Sequence, residues 1–151
     1  TFIPNITDWI VLFVLIVPFM FHANYRPHKS KTGIFAFCLA FPLAEELIFR
    51  GLLLVLLQEI IGESIIMVPF PLLKEVDLRV ILTAVLFAVM HLQYFSWKVN
   101  KDTIAKMVYA FVFGIVFGNL VVMSESVLYA ILFHVTANTG ATYLYLKRTT
   151  G

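Results

Sequence analysis

Four long apolar stretches dominate this chain and constrain what it can fold into. They cover residues 34–57, 80–97, 104–123 and 127–146, and each approaches the roughly 20 residues that a helix needs to cross a bilayer. A fifth, shorter stretch covers residues 9–21 and contains Pro18. Hydrophobic residues make up 61% of the chain and charged residues 13%, too little charge to cover a water-soluble body. We therefore predict an all-α, polytopic transmembrane helical bundle of about five spans, forming a single domain over residues 1–151.

The segments between these stretches predict how the chain is oriented. Residues 64–73 are apolar but too short to cross, and they contain Pro69 and Pro71, so we predict a re-entrant or interfacial loop there. Basic and non-basic connections alternate along the chain, and the last residues include Lys147 and Arg148. The positive-inside rule then predicts an integral membrane protein with a cytoplasmic C-terminus. The formal net charge of +2 is too small to indicate a nucleic-acid partner.

Three charged residues lie inside the second apolar stretch, where hydrocarbon would surround them. This stretch is the one over residues 34–57, and a charge at the bilayer centre costs roughly 2.5–3.5 kcal/mol on insertion scales, so Glu45, Glu46 and Arg50 need a reason to be there. Glu46 and Arg50 are four residues apart and can pair on one helix face, which accounts for them as packing groups. Glu45 lies about 100° around the helix from Glu46 and is left over by that pair. We interpret the triplet as functional. Pro42, just before it, predicts a kink.

Two later stretches carry polar residues of the kinds that catalyse hydrolysis. His91 lies in the stretch over residues 80–97. His134 and Asn138 lie on one face of the stretch over residues 127–146, because they are four residues apart. Counting about 1.5 Å per residue from the predicted cytoplasmic ends brings these groups and Glu45 to within about two helical turns in depth. We therefore expect them to form one constellation within the membrane.

One carboxylate, two imidazoles and one amide suit the hydrolysis of a carbonyl bond by either of two routes. Glu45 could act as general base on a water held between it and His91, while His134 and Asn138 donate hydrogen bonds to the oxyanion. Alternatively, Glu45, His91 and His134 could ligate Zn²⁺ as a two-histidine, one-carboxylate set. The residues alone leave both routes open. No Ser or Cys joins them at helical spacing, so an acyl-enzyme is not expected.

The order of these motifs resembles that of a known family. The chain has Glu-Glu-x-x-x-Arg, then Phe-x-x-x-His, then His-x-x-x-Asn, each on its own apolar helix and together spanning residues 45–138. This is similar to the CPBP family of CAAX prenyl proteases and bacteriocin-processing proteins, also called the Abi family. The resemblance implies an all-helical intramembrane endopeptidase that acts on a peptide or lipidated protein, such as a prenylated CAAX substrate or a bacteriocin-like peptide.

The resemblance also implies a role for each motif residue. Glu45 and His91 would position the nucleophilic water, and His134 and Asn138 would form the oxyanion hole. Glu46 and Arg50 would orient these groups. The family has been described both as a metalloprotease and as a glutamate protease, and we favour the glutamate interpretation. Because the chain is short for a eukaryotic member, we expect a prokaryotic plasma-membrane protein surrounded by lipid.

Two other classes of function stay open. A non-catalytic bacteriocin self-immunity or membrane binding protein could keep the motifs as packing, and Glu45→Gln should then preserve its function. A transporter subunit could also carry ionisable groups within the membrane and would show pH-dependent flux. The remaining features have structural interpretations. Gly114 and Gly118 form a Gly-x-x-x-Gly pair that lets a neighbouring helix approach closely, and the lone Cys38 excludes an internal disulfide.

Overall fold

The computed structural model describes residues 30–62, 67–70 and 74–150, most of which are helical. Its elements, in chain order, are α1 (Lys31–Phe35), a first π-helix (Ala36–Ala40), α2 (Phe41–Glu46), a second π-helix (Leu47–Leu53), α3 (Leu54–Ile61), β1 (Met67–Phe70), β2 (Lys74–Asp77), α4 (Leu78–Met90), a 3₁₀-helix (His91–Phe95), α5 (Lys101–Ser124) and α6 (Val127–Thr150). The chain divides into two compact units. The first contains Thr1–Leu47 and Ser124–Gly151, and the second contains Ile48–Met123.

The first unit packs α6 against α2 and the first π-helix. The buried face of α6 follows helical spacing and consists of small and polar residues: Ala130, His134, Ala137, Asn138, Ala141 and Thr142. Leu128 and Leu132 are instead 56% and 53% exposed, and Leu132 lies about 200° around the helix from His134. Buried polar groups with exposed large apolar ones reverse the pattern of a water-soluble helix and fit a helix whose outer face meets lipid.

The helix that carries the two glutamates changes its hydrogen-bond pattern just before them. The Phe41 N–H donates to the Ala36 carbonyl five residues back, which is the π-helical pattern, and α2 then begins with Pro42 in its first turn. Proline is tolerated in the first turn of an α-helix because that turn does not use the N–H that proline lacks for its own bonds. The structure changes from π-helix to α-helix next to Pro42, and the predicted kink stays a prediction. π-helical turns of this kind are found often at functional sites.

The second unit is built around the close packing of α4 against α5. Gly114 and Gly118 of α5 face Ala84 and Val80 of α4, and a Cβ added at either glycine would lie 2.7 Å from a side-chain atom opposite. Both α4 residues are fully buried, and they join Leu54, Val76 and Ile115 in one apolar core. The Gly-x-x-x-Gly pair thus permits the close approach that its spacing predicts.

Side-chain caps mark where the helices begin. Asp77 accepts a hydrogen bond from the Arg79 N–H at 2.8 Å and also pairs with the Arg79 guanidinium at the start of α4. Asn100 accepts from the Thr103 N–H at 3.0 Å just before α5. These caps satisfy N–H groups that the first turn of a helix leaves without intrahelical partners.

The apolar connection between α3 and α4 differs from the loop that the sequence predicted. Within residues 64–73, Met67–Phe70 form β1, which pairs antiparallel with β2, so that Val68 faces Val76 in the ladder and Pro69 faces Glu75. In a two-stranded sheet both strands are edge strands, the position in which proline is tolerated. The prediction of a re-entrant or interfacial loop did not include this strand pairing, and the position of the segment relative to a membrane stays a prediction.

Two described stretches are long and apolar enough to cross a bilayer, namely Leu78–Phe95 and Lys101–Ser124. They correspond to the predicted spans over residues 80–97 and 104–123. The predicted span over 34–57 is divided among α- and π-helical pieces, and that over 127–146 lies in α6, which carries several polar residues. The predicted span over residues 9–21 lies outside the described part of the chain. The all-α class is confirmed apart from the two short strands, while five spans and the cytoplasmic C-terminus stay predictions.

Candidate active site

His134 lies between two carboxylates in the first unit. Its Nδ1 is 2.8 Å from Oε1 of Glu46, a hydrogen-bond distance, and its Nε2 is 3.7 Å from Oε2 of Glu45. Glu46 has no exposed side-chain surface, whereas Glu45 keeps 17% of its side chain exposed. One carboxylate therefore holds the imidazole ring, and the other remains accessible beside it.

The local fold explains how consecutive glutamates reach the same ring. Glu45 and Glu46 are the last two residues of α2, and their side chains leave the helix about 100° apart. The ring of His134 projects from α6 with one nitrogen on each of two edges, so each carboxylate meets a different nitrogen. The small residues Ala130, Ala137 and Ala141 on the same face of α6 leave room for this approach.

The hydrogen bond to Glu46 fixes which nitrogen of His134 carries a proton. An ionised carboxylate only accepts hydrogen bonds, so Nδ1 is the donor at 2.8 Å. A neutral ring would then have a lone pair at Nε2, and a ring that donates from Nε2 must carry both protons. Nε2 is therefore the nitrogen of His134 that faces Glu45, at 3.7 Å.

Asn138 lies one turn from His134 on α6 and makes a different contact. Its Nδ2 donates to the backbone carbonyl of Phe37, in the first π-helix, at 2.9 Å. Nearby, the Cys38 Sγ lies 3.4 Å from Oγ1 of Thr142, on the same face of α6. The amide nitrogen of Asn138 has two hydrogens, so a second one remains for another acceptor.

The second unit positions Arg50 and His91 around the ring of Phe87. Arg50 is buried in the second π-helix, with its guanidinium carbon 4.3 Å from the centre of the Phe87 ring. Its Nη2 also donates to the Gly114 carbonyl at 3.4 Å. The ring of His91 meets Phe87 edge to face, with centroids 4.4 Å apart. Phe87 therefore contacts both polar motif residues of this unit.

A backbone contact sets the orientation of the His91 ring. Its Nδ1 lies 2.8 Å from the Phe87 carbonyl, and a carbonyl can only accept, so Nδ1 carries the proton. In the neutral ring the lone pair then lies at Nε2, which is the basic nitrogen. His91 also begins the 3₁₀-helix that follows α4, and its side chain is half-buried. It is arranged to accept a proton or to hold a water through Nε2.

Comparison with known proteins assigns the chain to a family. Residues 27–140, which include every motif residue described above, match the model of the type II CAAX prenyl endopeptidase Rce1-like family. The chain belongs to the Rce1-like family. This confirms the family predicted from the three motifs. No curated protein and no solved structure matches the chain.

Rce1-like membership defines the broad class of this protein. The family is one of proteases, and together with the two apolar helices of bilayer length it identifies an integral membrane protein of hydrolase type. The reversed polarity of α6, with apolar residues outside and polar ones inside, agrees with this location.

The zinc alternative for this Rce1-like chain stays a prediction. Over the described residues 30–62, 67–70 and 74–150, no group of three or more His, Cys, Asp or Glu side chains that could hold a metal ion is found. Nδ1 of His134 lies at hydrogen-bond distance from Glu46, which leaves Nε2 as the nitrogen for any other partner. We derive no step through a metal.

Sequence reasoning missed several partners of the Rce1-like motif residues. It paired Glu46 only with Arg50, yet Glu46 also holds His134. It gave no role to Phe37, whose carbonyl binds Asn138, or to Thr142, which contacts Cys38. Thr142 had a usable signal, because it lies eight residues from His134 and so on the same helix face. The Phe37 carbonyl had no such signal in the sequence, because every residue has a backbone carbonyl whatever its type.

Proposed function

We propose that this chain is an intramembrane endopeptidase that hydrolyses a peptide bond near the C-terminus of a prenylated CAAX substrate. One observation carries the proposal: the imidazole of His134 lies between a buried carboxylate at 2.8 Å and a partly exposed one at 3.7 Å within an apolar helical body. Glu45 keeps 17% of its side chain exposed, whereas Glu46 is fully buried, and we therefore assign the chemistry to Glu45.

In the proposed reaction Glu45 is the general base. Its carboxylate removes a proton from water while the water oxygen attacks the carbonyl carbon of the substrate. Glu45 then transfers that proton to the leaving amine as the carbon–nitrogen bond breaks, so that it ends the cycle ionised. The apolar surroundings strengthen each electrostatic contact with the developing charge because they exclude water.

His91 would serve the same reaction through Nε2. The contact between Nδ1 and the Phe87 carbonyl leaves the lone pair of the neutral ring at Nε2, which can accept a hydrogen bond from the attacking water. This proposed role rests on the motif order of the family and on the tautomer of His91.

His134 and Asn138 would stabilise the oxyanion of the tetrahedral intermediate. A doubly protonated His134 donates from Nε2, since Nδ1 donates to Glu46. Asn138 donates through the Nδ2 hydrogen that Phe37 does not use. Removing one such donor from other hydrolases costs about 10²–10³ in kcat. Glu46 would support these groups by orienting His134, and Arg50 would pack beside Phe87 within its own unit.

The test is cleavage of a fluorogenic prenylated CAAX peptide by the purified full chain in detergent micelles. The native chain should cleave it, and Glu45→Gln should lower kcat by at least about 10³-fold without lowering the thermal unfolding midpoint. Glu59→Gln, which changes an exposed carboxylate on α3, is the matched control and should cleave normally. Cleavage by Glu45→Gln at the native rate would refute the proposed base.

A second substrate separates the remaining alternatives. An unprenylated peptide of the same sequence shows whether the lipid is recognised, and a bacteriocin-like precursor covers the other substrate class. A folded native chain that cleaves none of these would favour the non-catalytic interpretation. Proton flux into vesicles, retained in Glu59→Gln and lost in Glu45→Gln, would instead favour a transporter.

A further inference from the structure

Asn138 supplies a hydrogen bond that the backbone of the first π-helix does not. The Phe41 N–H donates to the Ala36 carbonyl, five residues back. The next bond of that pattern would run from position 42 to the carbonyl of Phe37, but Pro42 has no N–H. The side-chain amide of Asn138 donates to that carbonyl at 2.9 Å. A residue of α6 thus takes the place of the missing backbone donor.

We propose that Asn138 is a positioning residue that fixes the register of residues 37–46 along α6. Its bond to Phe37 ties one point of that segment to one point of α6, and this register brings Glu45 and Glu46 to His134. The role differs from donation to an oxyanion, because it acts through the placement of the two carboxylates. It also explains why a proline can stand at the junction between the π-helix and α2.

The spacing of the contacts supports a single register. Cys38 contacts Thr142 at one end, and Glu46 contacts His134 at the other. Each helix advances about 12 Å over the eight residues between its two contacts, so the contacts match along antiparallel segments. Asn138 lies midway between them on α6. A shift of one residue would turn the carboxylates by about 100° and move them away from the ring nitrogens.

The reactivity of Cys38 can be used to measure this register. Cys38 is the only cysteine in the sequence, it is half-buried, and it lies 3.9 Å from the carbonyl of Asn138 and 3.4 Å from Oγ1 of Thr142. If residues 37–46 lose their register, the thiol leaves these contacts and becomes more reactive. The rate at which a maleimide labels Cys38 in the full chain therefore measures the register without any need for enzyme activity.

The experiment compares five proteins: the native chain, Asn138→Ala, Pro42→Ala, the double variant, and Thr139→Ala as the control at an exposed neighbouring position. Asn138→Ala should label about tenfold faster than the native chain, because loss of a buried hydrogen bond favours local opening. The double variant should return to near the native rate. Alanine at position 42 provides an N–H, which in the π pattern donates to the Phe37 carbonyl five residues back. Pro42→Ala and Thr139→Ala should label like the native chain.

Three results would overturn the proposal: a native labelling rate in Asn138→Ala, a double variant that labels as fast as Asn138→Ala, or failure of both these variants to fold. If Asn138→Ala alone fails to fold and the double variant folds, the rescue itself supports the proposal. A role in the oxyanion hole alone predicts no rescue by Pro42→Ala, because that change provides no donor to the substrate.

The link from register to peptide hydrolysis rests on the proposed function, and the same proteins test it separately. If the native chain cleaves the prenylated peptide, the double variant should recover part of the kcat that Asn138→Ala loses. The part of the loss that is not recovered would then measure the contribution of Asn138 as an oxyanion donor. If the native chain cleaves nothing, the proposed function fails, and the labelling rates still decide whether Asn138 sets the register.

Discussion

The imidazole of His134 donates from Nδ1 to Oε1 of Glu46 at 2.8 Å, across 88 residues of sequence. The carboxylate has no exposed surface and belongs to the last turn of α2, so it cannot move toward a substrate. Its effect on chemistry must therefore pass through the imidazole. Glu45, next to it in sequence, approaches the other nitrogen of the same ring and keeps exposed surface. Adjacent residues of one type thus have different environments, and we expect them to have different functions.

Glu46→Gln should reduce kcat by about two orders of magnitude and leave KM nearly unchanged. The amide keeps an acceptor oxygen for His134 Nδ1 but removes the charge that stabilises the doubly protonated ring, as in other histidine–carboxylate pairs. Steady-state cleavage of the prenylated peptide measures both constants, with Glu59→Gln as control. An increase in KM at unchanged kcat would mean that Glu46 contributes to substrate binding instead.

The neutral His91 ring should be the tautomer that carries its proton on Nδ1. The Phe87 carbonyl at 2.8 Å accepts that proton, so Nε2 should have the ¹⁵N chemical shift of an unprotonated nitrogen. The measurement is ¹⁵N NMR of histidine-labelled protein in micelles, with His91→Asn to assign the signal. A proton on Nε2 would contradict the proposed water-holding role, because that nitrogen could then only donate.

Arg50→Lys should lower the free energy of unfolding by about 1–3 kcal/mol although the charge is kept. The planar guanidinium lies over the Phe87 ring at 4.3 Å and donates to the Gly114 carbonyl, and an ammonium group cannot reproduce that stacking. Denaturation of the purified protein in mixed micelles gives the difference. Arg148→Lys, at an exposed position near the end of α6, should show no change. Equal effects of the two substitutions would mean that stacking contributes nothing.

Gly118→Ala should destabilise the protein and should be partly rescued by Val80→Ala. The added Cβ would lie 2.7 Å from Cγ1 of Val80, while the Val80 Cβ is 3.4 Å away, so removing the two methyl groups relieves the clash. A double-mutant cycle of unfolding free energies measures the coupling, which we expect to be at least about 1 kcal/mol.

Gly114→Ala provides the matched comparison for this cycle. Its added Cβ would lie 2.7 Å from the Cβ of Ala84 and 2.8 Å from its Cα, so Ala84→Gly removes only one of the two clashes. Rescue should therefore be weak. If the two pairs have equal coupling free energies, the clash is relieved by separation of α4 and α5. The local contact at each glycine then does not determine the size of the effect.

Hydropathy predicted where most helices lie because it follows burial in an apolar medium. The stretch predicted over 104–123 became Lys101–Ser124, and that over 80–97 became Leu78–Met90 followed by His91–Phe95. Hydropathy could not predict β1, because residues Met67–Phe70 are equally apolar whether they form a strand or a loop. What makes them a strand is their pairing with β2, which is a tertiary contact. Nor could it predict the π-helices, because a change in hydrogen-bond register leaves the apolar content unchanged.

The site was partly predictable for a related reason. Ionisable residues in an apolar helix are costly, so Glu45, Glu46 and His134 stood out by residue type alone. Their partners were less predictable. Helical spacing suggested Arg50 as the partner of Glu46, but it held no signal for the hydrogen bond between Glu46 and His134, which joins two helices distant in sequence.

The first π-helix has a consequence for how the chain tolerates insertions and deletions. A π-turn holds one more residue than an α-turn, and an α-helix rotates about 100° per residue. Deleting one residue of Ala36–Ala40 would convert the π-turn to an α-turn, and the residues on either side of it would keep their positions. Glu45 and Glu46 would then still meet His134. Two homologous chains of this kind can therefore differ by one residue in this turn and still hold the same two carboxylates beside the imidazole.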